Sequence, residues 1–317
     1  MPSAADLERG AKTAVSQCLA LDSDESCAIV YDSGTTVVAD ALYEAVAAVT
    51  DDVVMVRYLA GETHGTEPPA PVAGALLEAD VFFAPTTKSL SHTRARQRAC
   101  EAGARGATLP GITPAVFALG LDADYDHIET TCTELLQQLS GAEAIQITTD
   151  AGTDLSVFPG DRTWLADTGI VQQPGDFSNL PAGEVFISPE GADGRVVIDG
   201  TMRPYGLLDD PIELIIEDGL VTSISDEAVR ETVERAAESV GDAAYNVAEL
   251  GIGTNVGVNE LVGSVLLDEK AAGTIHIAIG DDAGIGGDVE APIHLDGVIR
   301  DPSLEADGRP VVLPTPR

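Results

Sequence analysis

Short apolar runs alternate with stretches of helical periodicity over residues 1–140. The apolar runs predict β-strands over Cys27–Tyr31, Val53–Leu59, Val81–Ala84 and Ala107–Leu109. Apolar residues recur at helical spacing over Thr36–Val49, Val72–Leu77, Thr93–Ala102 and Tyr125–Leu139. Strands that alternate with helices indicate βαβ units, whose strands form a parallel sheet covered on both faces. The pattern therefore predicts an α/β domain of Rossmann-like layout in residues 1–140.

The pattern changes near residue 141, where strand-like runs follow one another with short turns between them. The predicted strands are Ala144–Thr149, Asp154–Phe158, Gly183–Ser188, Arg195–Asp199, Pro211–Glu217, Leu220–Ile224, Thr274–Ile279 and Ala291–Ile299. Asp218-Gly219, between two apolar runs, is a hairpin signal. One amphipathic helix, Asp226–Ser239, interrupts the strands, and the Pro-containing tail after Asp301 is interpreted as surface chain. Residues 141–317 are therefore predicted to form an α+β domain.

The net charge of the chain limits the classes of partner that it can bind. Its 53 acidic and 17 basic residues make a formal net charge of −36 in 317 residues. Nucleic acids and anionic membranes bind positively charged proteins, so both are excluded as partners. The acids are dispersed, and the only lysines are Lys12, Lys88 and Lys270. In molar salt the Debye length is about 3 Å, so self-repulsion is screened. We interpret the chain as halophilic, from a salt-in archaeon; the alternative is a strongly cationic partner.

The cysteines and the N-terminus indicate the compartment. Cys18, Cys27, Cys100 and Cys132 have no short paired spacing and lie in mostly apolar surroundings, which is typical of buried, reduced thiols. The first residues lack the basic and apolar regions of a signal peptide, and the chain contains no run of 18 apolar residues. We therefore expect a cytoplasmic protein.

Two of the five histidines stand in patterns that suit a metal site. His294 and Asp296 are two residues apart in a strand-like run, so that both side chains project from the same face. An imidazole and a carboxylate that converge in this way begin many Zn, Co or Fe sites. His276 alternates with apolar residues in another predicted strand. Each pattern alone also fits an ordinary structural histidine, either hydrogen-bonded near a surface acid or satisfied in the core.

Two acids stand apart from the many surface carboxylates of the chain. Glu184 lies at the start of an apolar strand, and Glu249 lies among apolar residues and glycines. A buried carboxylate needs a cation or hydrogen-bond donors, so an acid in such a setting is a candidate for function. Either acid could equally be an ordinary surface residue of an acidic chain.

Four blocks of the sequence together resemble the aminopeptidase T / leucyl aminopeptidase-like metallopeptidase family, of the thermophilic-aminopeptidase type. The blocks are Asn179–Pro189 (NLPAGEVFISP), Ala248–Asn255 (AELGIGTN), Leu267–Gly280 (LDEKAAGTIHIAIG) and Pro292–Asp296 (PIHLD). Their order and approximate spacing also match, and the resemblance covers roughly residues 175–300.

The resemblance implies a metalloaminopeptidase-like hydrolase that removes N-terminal residues from peptides. It assigns two divalent metal ions, Zn or Co, to the ligands Glu184, Glu249, His276, His294 and Asp296. The metal pair would activate a water, with Glu249 as the catalytic carboxylate that moves the proton. The resemblance also implies a homodimer. One departure concerns the position of the family's catalytic tyrosine, which is Ala283 here.

Two alternatives therefore remain beside the hydrolase. Ring-opening Fe(II) dioxygenases of the dihydroxypyridine type are similar to this peptidase family in fold and use no peptidase tyrosine. A reduced ligand set, for example His276, His294 and Asp296 with Glu184, could hold one Fe(II) with open positions for O₂ and a small-molecule substrate. The other alternative is a metal-binding paralogue without turnover. The chain has neither a Gly-x-Ser-x-Gly nor a Walker A motif.

Overall fold

The computed structural model describes residues 2–316 of the chain. Its α-helices are α1 Ala4–Thr13, α2 Thr36–Ala47, α3 Ala70–Glu78, α4 Arg94–Glu101, α5 Pro114–Gly120, α6 Tyr125–Leu139, α7 Glu227–Val240 and α8 Val265–Asp268. Its β-strands are β1 Cys27–Tyr31, β2 Val53–Arg57, β3 Val81–Thr86, β4 Arg105–Pro110, β5 Ile145–Thr148, β6 Asp154–Phe158, β7 Leu165–Asp167, β8 Phe177–Asn179, β9 Glu184–Ile187, β10 Gly191–Ile198, β11 Thr201–Met202, β12 Gly206–Leu207, β13 Ile212–Glu217, β14 Leu220–Ile224, β15 Val247–Gly253, β16 Ile275–Gly280, β17 His294–Ile299, β18 Ser303–Ala306 and β19 Arg309–Pro310.

Two compact units divide the chain, and they interleave along the sequence. The first unit ends at Glu129 and takes in a later segment, Thr168–Ala182, while the second comprises Thr130–Asp167 and the chain from Gly183 onward. The chain thus passes between the units three times. The composition of the short segment Thr168–Ala182 does not distinguish it from its neighbours. The sequence pattern therefore shows one boundary, near residue 141, whereas the chain passes between the units at three places.

A parallel sheet forms the centre of the first unit. Its strands lie in the order β2-β1-β3-β4-β8, and each neighbouring pair is parallel. Strand β3 is buried along its whole length, because helices cover both faces of such a sheet. Val30, Leu76 and Phe82 belong to the apolar core around it. The predicted α/β fold is confirmed, although α5 and β8 are absent from the sequence prediction because both are short.

A buried ion pair ties the segment before β1 to the start of β4. The Arg105 guanidinium donates to both carboxylate oxygens of Glu25, at 2.6 and 2.7 Å, and also to the carbonyl oxygens of Leu19 and Ala20. The Arg105 side chain is 7% exposed, so its charge depends on this partner. The hydrogen bond from Arg105 lowers the pKa of Glu25 below its ordinary value of 4.5.

We expect Glu25→Gln to lower the free energy of unfolding by about 1–3 kcal/mol at neutral pH, because Arg105 loses an ionised partner. A carboxyl group with a lowered folded-state pKa stabilises the protein above its unfolded pKa, and this contribution disappears as the pH falls through the folded pKa. The difference in the free energy of unfolding between wild type and variant should therefore be largest above pH 4.5 and should disappear in more acidic buffer. Urea titrations across this range measure it.

Glu213→Gln is the matched control for this prediction. Glu213 pairs with Arg195 at 2.6 Å, but both side chains are at least 40% exposed. Exposed pairs contribute about 0–1 kcal/mol, so this variant should unfold nearly as the wild type does. Equal losses in both variants would mean that the burial of Arg105 has no energetic consequence.

Two antiparallel sheets form the second unit. The first has the strand order β14-β13-β10-β6-β5-β18-β19, and the second has the order β12-β11-β17-β16-β15-β9-β7. They pack together where Ile198 of β10 lies over Gly297 of β17, a position at which a Cβ atom would come within 2.3 Å of Ile198. One face of the second sheet therefore packs against the first sheet in the core, and its other face is available for a site.

The interpretation of the tail after Asp301 as surface chain is wrong for Ser303–Ala306, whereas most of the remaining tail is exposed. Strand β18 of this tail pairs with β5, and Ser303–Ala306 lies antiparallel to Ile145–Thr148. The alternation of buried Leu304 and Ala306 with exposed residues is the ordinary period of a half-buried strand. The run is only four residues long, which is why it carries little signal in the sequence.

The structure also bears on the membrane and cysteine predictions. Among the described residues, no helix combines the length and the apolar character needed to cross a lipid bilayer. Cys18, Cys27 and Cys132 are buried, whereas Cys100 is half-buried. Burial raises the pKa of the Cys27 thiol to about 12, so this thiol stays protonated and inert.

Candidate metal centre

Four adjacent strands, β9-β15-β16-β17, bring the predicted ligands onto one face of the second antiparallel sheet. Residues directly opposite each other on neighbouring strands project to the same face. Glu184 lies opposite Gly253, Gly251 opposite His276, and Ala278 lies between Glu249 and Asp296. Since alternate residues of a strand share a face, Glu184, Glu249, His276, His294 and Asp296 all project from the face opposite the core.

His294 and Asp296 meet as their spacing predicts. The Nε2 atom of His294 lies 3.2 Å from Oδ1 of Asp296. The Nδ1 atom of His294 lies 2.7 Å from the carbonyl oxygen of Asp281, and a carbonyl can only accept. Nδ1 therefore carries a proton and Nε2 is left to face the carboxylates. A metal-ligating histidine is commonly oriented by such a bond through its other ring nitrogen.

Glu249 connects the two histidines. Its Oε1 atom lies 3.2 Å from Nε2 of His276, and its Oε2 atom lies 3.3 Å from Nε2 of His294. Two groups of ligand atoms result, Glu184–Glu249–His276 and Glu249–His294–Asp296, and within each group the atoms lie within 4.8 Å of one another. Glu249 is common to both groups, so it is the central residue of the candidate site.

Two further charged residues complete the cluster, and the sequence analysis does not single them out. Lys270, in the turn after α8, contacts Oε1 of Glu184, and its Nζ lies 3.0 Å from Oε1 of Glu269. Lys270 is 5% exposed. A signal for it exists in the sequence: it is one of three lysines in the chain, and it lies between Glu269 and the His276 strand.

A glycine makes room for the His276 ring. A Cβ atom on Gly251 would lie 2.1 Å from both Cε1 and Nε2 of His276, which means that the ring lies across this backbone position. Glycine is required here for space and not for backbone conformation, because Gly251 is absent from the glycines with positive φ. The glycine-rich context of Glu249 thus has a direct structural reason.

We expect Gly251→Ala to weaken metal binding by about 10–100-fold, because the added methyl group must push the His276 ring away from Glu249. Overpacking of this kind also costs about 1–3 kcal/mol of stability. Isothermal titration with a divalent cation measures the first effect. Gly284→Ala is the control, since a Cβ atom there meets nothing within 4 Å. Unchanged affinity in Gly251→Ala would contradict a role for His276 in the site.

Without a metal, the buried acids and imidazoles of the cluster shift one another's pKa values. Burial opposes the charged form of Glu249, but hydrogen bonds from His276 and His294 lower the pKa of this carboxyl to about 2. Burial likewise opposes imidazolium at His276, yet Glu249 and Glu184 raise its pKa to about 9. Burial raises the pKa of the Glu184 carboxyl, and the neighbouring Lys270 and His276 oppose this rise. A metal that binds here displaces protons from the histidines.

The donor set fits a divalent transition metal. It combines imidazole nitrogens and carboxylate oxygens, the ligands used by Zn, Fe and Co sites. The buried Oε2 atom of Glu184 has no hydrogen-bond partner, and it lies 3.4 Å from Nε2 of His276. A buried, unpartnered carboxylate oxygen is costly unless a cation faces it. The structure thus brings together the predicted site residues and supports a metal-binding site.

The two groups of ligands differ in access. The His294 side chain is 33% exposed and that of Asp296 is 14% exposed, whereas Glu184, Glu249 and His276 are exposed by 7% or less. A small molecule can therefore reach a metal held by Glu249, His294 and Asp296 more readily than one held by Glu184, Glu249 and His276.

Comparison with known proteins identifies related sequences. A family model described as NicX: 2,5-dihydroxypyridine 5,6-dioxygenase matches residues 20–315. The curated 2,5-dihydroxypyridine 5,6-dioxygenase of Pseudomonas putida strain KT2440 is 25% identical over 241 residues, which cover 72% of this chain and 68% of that protein.

Two solved structures share the fold. The 2,5-dihydroxypyridine dioxygenase of Pseudomonas putida KT2440 superposes with a TM-score of 0.76 and 21% identity, over 99% of this chain and 97% of that one. Wild-type AmpT from Thermus thermophilus superposes with a TM-score of 0.66 and 19% identity, over 97% and 99% of the two chains. At these identities the superpositions establish the fold alone. The resemblance to the aminopeptidase T family is therefore confirmed for the fold.

The family match overturns the functional expectation drawn from that resemblance. The prediction of a metalloaminopeptidase-like hydrolase, a protease acting on peptides, is wrong, because the matching family model and the curated relative both describe a dioxygenase. The blocks that carry the resemblance surround the ligands and the sheet that holds them. Such blocks specify a scaffold and its candidate ligands, and one scaffold supports unrelated reactions.

Proposed function

Since this chain belongs to the NicX (2,5-dihydroxypyridine 5,6-dioxygenase) family, we propose that it is an Fe(II)-dependent dioxygenase that opens a hydroxylated pyridine ring. The observation that carries the proposal is the partly exposed group Glu249–His294–Asp296, found on the scaffold of that family. Imidazole and carboxylate ligands with free positions beside them are typical of non-haem Fe(II) oxygenases.

The residues of the chain have distinct tasks in this proposal. His294 presents Nε2 to the metal because its Nδ1–H donates a hydrogen bond to the Asp281 carbonyl oxygen. Asp296, on the same strand face, supplies a carboxylate oxygen 3.2 Å from that nitrogen. Glu249 supplies the second carboxylate and is held in place on its other side by His276, at 3.2 Å. Bound iron would supply redox chemistry and Lewis acidity toward the ring hydroxyl groups.

The deeper group, Glu184–Glu249–His276, supports this arrangement from inside the sheet. Its side chains are nearly inaccessible, so it gives no room for a ring next to a metal. It does orient Glu249, whose Oε1 faces His276 while Oε2 faces His294. We assign the substrate-facing iron to the outer group for this reason. Glu184 and His276 are assigned to the inner side of the same centre.

The proposal is tested with protein purified in high salt, freed of metal and loaded anaerobically with Fe(II). We expect uptake of one O₂ for each 2,5-dihydroxypyridine consumed, because a dioxygenase places both oxygen atoms in its product. Protein loaded with Zn²⁺ is the matched control, since Zn²⁺ has no redox chemistry and should give no uptake. Folded, iron-loaded protein that consumes neither O₂ nor the pyridine would contradict the proposal and favour a metal-binding protein without turnover.

A further inference from the structure

Lys270 is a buried cation beside the proposed metal centre. It is 5% exposed, contacts Oε1 of Glu184 and lies 3.0 Å from Glu269. A buried ammonium group is stable only with such partners. The chain of 317 residues has three lysines, and the burial of one of them among carboxylates indicates a specific role.

The two oxygens of Glu184 have different neighbours. Oε1 accepts from Lys270, whereas the buried Oε2 has no hydrogen-bond partner and lies 3.4 Å from Nε2 of His276. The lysine therefore restrains rotation of the carboxylate and leaves one oxygen directed at the inner ligand group. Without Lys270, the carboxylate loses this restraint and Oε2 is no longer held toward the inner ligand group.

The backbone that carries Lys270 is itself well anchored. The Lys270 carbonyl accepts from the Asn255 amide at 2.8 Å, just beyond β15. Asp268, two residues earlier, is fully buried and accepts from Thr201, at 2.6 Å, and from the backbone amides of Val262 and Gly263. The ammonium group is thus held at a defined place relative to β15, which bears Glu249.

The adjoining turn packs tightly on the same strand. A Cβ atom on Gly253 would lie 2.1 Å from the carbonyl oxygen of Ala271, so the turn after Lys270 lies directly on β15 at this glycine. Gly253 is also the register partner of Glu184. The turn, the lysine and the carboxylate that it binds are therefore positioned by one short stretch of the sheet.

We propose that Lys270 is a positioning residue of the metal centre, which acts through Glu184 to set the geometry and affinity of metal binding. This inference rests on the metal site of the proposed function. Lys270 also neutralises part of the charge of Glu184 and Glu269, so that a single divalent cation meets a cluster whose excess negative charge is smaller.

Metal binding, and not turnover, tests the proposal. Lys270→Met is loaded with Co(II), its affinity is measured by competition with a chelator, and the visible absorption of the bound Co(II) is recorded. We expect the affinity to fall by about 10–100-fold, the usual effect of removing an outer partner from a metal centre. The Co(II) spectrum should change as well, because the Glu184 carboxylate reorients. Lys270→Arg retains the charge and should recover part of the affinity.

Lys12→Met is the matched control. Lys12 lies on α1, its side chain is 66% exposed, and it pairs with Glu8. It should bind Co(II) as the wild type does. If Lys270→Met does not fold, the double variant Lys270→Met/Glu269→Gln decides, since it removes one positive and one negative charge together and still deprives Glu184 of its lysine.

The outcomes separate this inference from the proposed function. A folded Lys270 variant with the affinity and Co(II) spectrum of the wild type overturns the positioning role and leaves the metal site standing. Failure of the wild-type protein itself to bind Co(II) or Fe(II) overturns the metal site, and with it the role of Lys270. A spectrum that changes in Lys270→Met but not in Lys12→Met supports the proposal.

Discussion

Glu249→Gln is expected to lower metal affinity by at least about 100-fold and to reduce turnover to background. Glu249 belongs to both ligand groups, and its two oxygens face His276 and His294 at 3.2 and 3.3 Å. Glutamine has nearly the same shape, but its amide is neutral and presents N–H donors where a cation must bind. The variant therefore tests the charge of Glu249 and not its volume.

Thermal unfolding with and without metal measures this effect independently of activity. A ligand that binds only the native state raises the melting temperature. We expect Fe(II) or Co(II) to raise it for the wild type and to leave it unchanged for Glu249→Gln. Glu231→Gln, an exposed position on α7, is the control and should respond as the wild type. A metal-dependent rise in Glu249→Gln equal to that of the wild type would refute the assigned centre.

Removal of salt is expected to have the second large effect, on the stability of the whole chain. A net charge of −36 produces self-repulsion that the Debye length of about 30 Å in 0.01 M salt leaves unscreened. Domains are stable by about 5–15 kcal/mol, and we expect repulsion to offset most of this in dilute buffer. The urea midpoint should therefore rise steeply as KCl is added, with the native state fully populated in molar salt.

A non-ionic control distinguishes screening from solvent exclusion. Sucrose stabilises proteins because it is excluded from their surfaces, but it does not screen charge. At equal osmolality it should restore much less stability than KCl. A urea midpoint that is independent of KCl would show that repulsion among the acids is unimportant and would remove the basis for a halophilic interpretation. Metal-binding experiments should accordingly be made in high salt.

Local patterns were sufficient for most elements of the fold. Runs such as Cys27–Tyr31 and Asp154–Phe158 have the predicted bounds, because burial on one or both faces imposes a regular apolar pattern on a strand. The misses have physical causes. Strand β15 was not predicted because it contains Gly251 and Gly253, and glycine is unfavourable in an ordinary strand. These glycines leave space for the His276 ring and the Ala271 carbonyl. Strand β18 is too short to stand out.

The residues of the candidate site could be predicted from the sequence, but the reaction could not. An imidazole and a carboxylate two residues apart must share a strand face, and the structure places His294 and Asp296 3.2 Å apart as that rule requires. The family blocks led to the wrong reaction because they record the scaffold and its ligands. Glu269 was missed because, in so acidic a chain, the burial of one acid cannot be recognised from residue type. Lys270 was missed because its partner Glu184 lies far from it in the sequence.

The sequence by itself determined the α/β class, the excess of surface charge and the residues from which a metal site could be built. These follow from local periodicity and composition, which need no knowledge of distant contacts. Only the tertiary structure decided that Glu249 connects His276 with His294, that Lys270 occupies one oxygen of Glu184, and that the outer ligand group alone is accessible. The reason is the strand order β9-β15-β16-β17, which joins residues far apart in the chain and which local patterns do not encode.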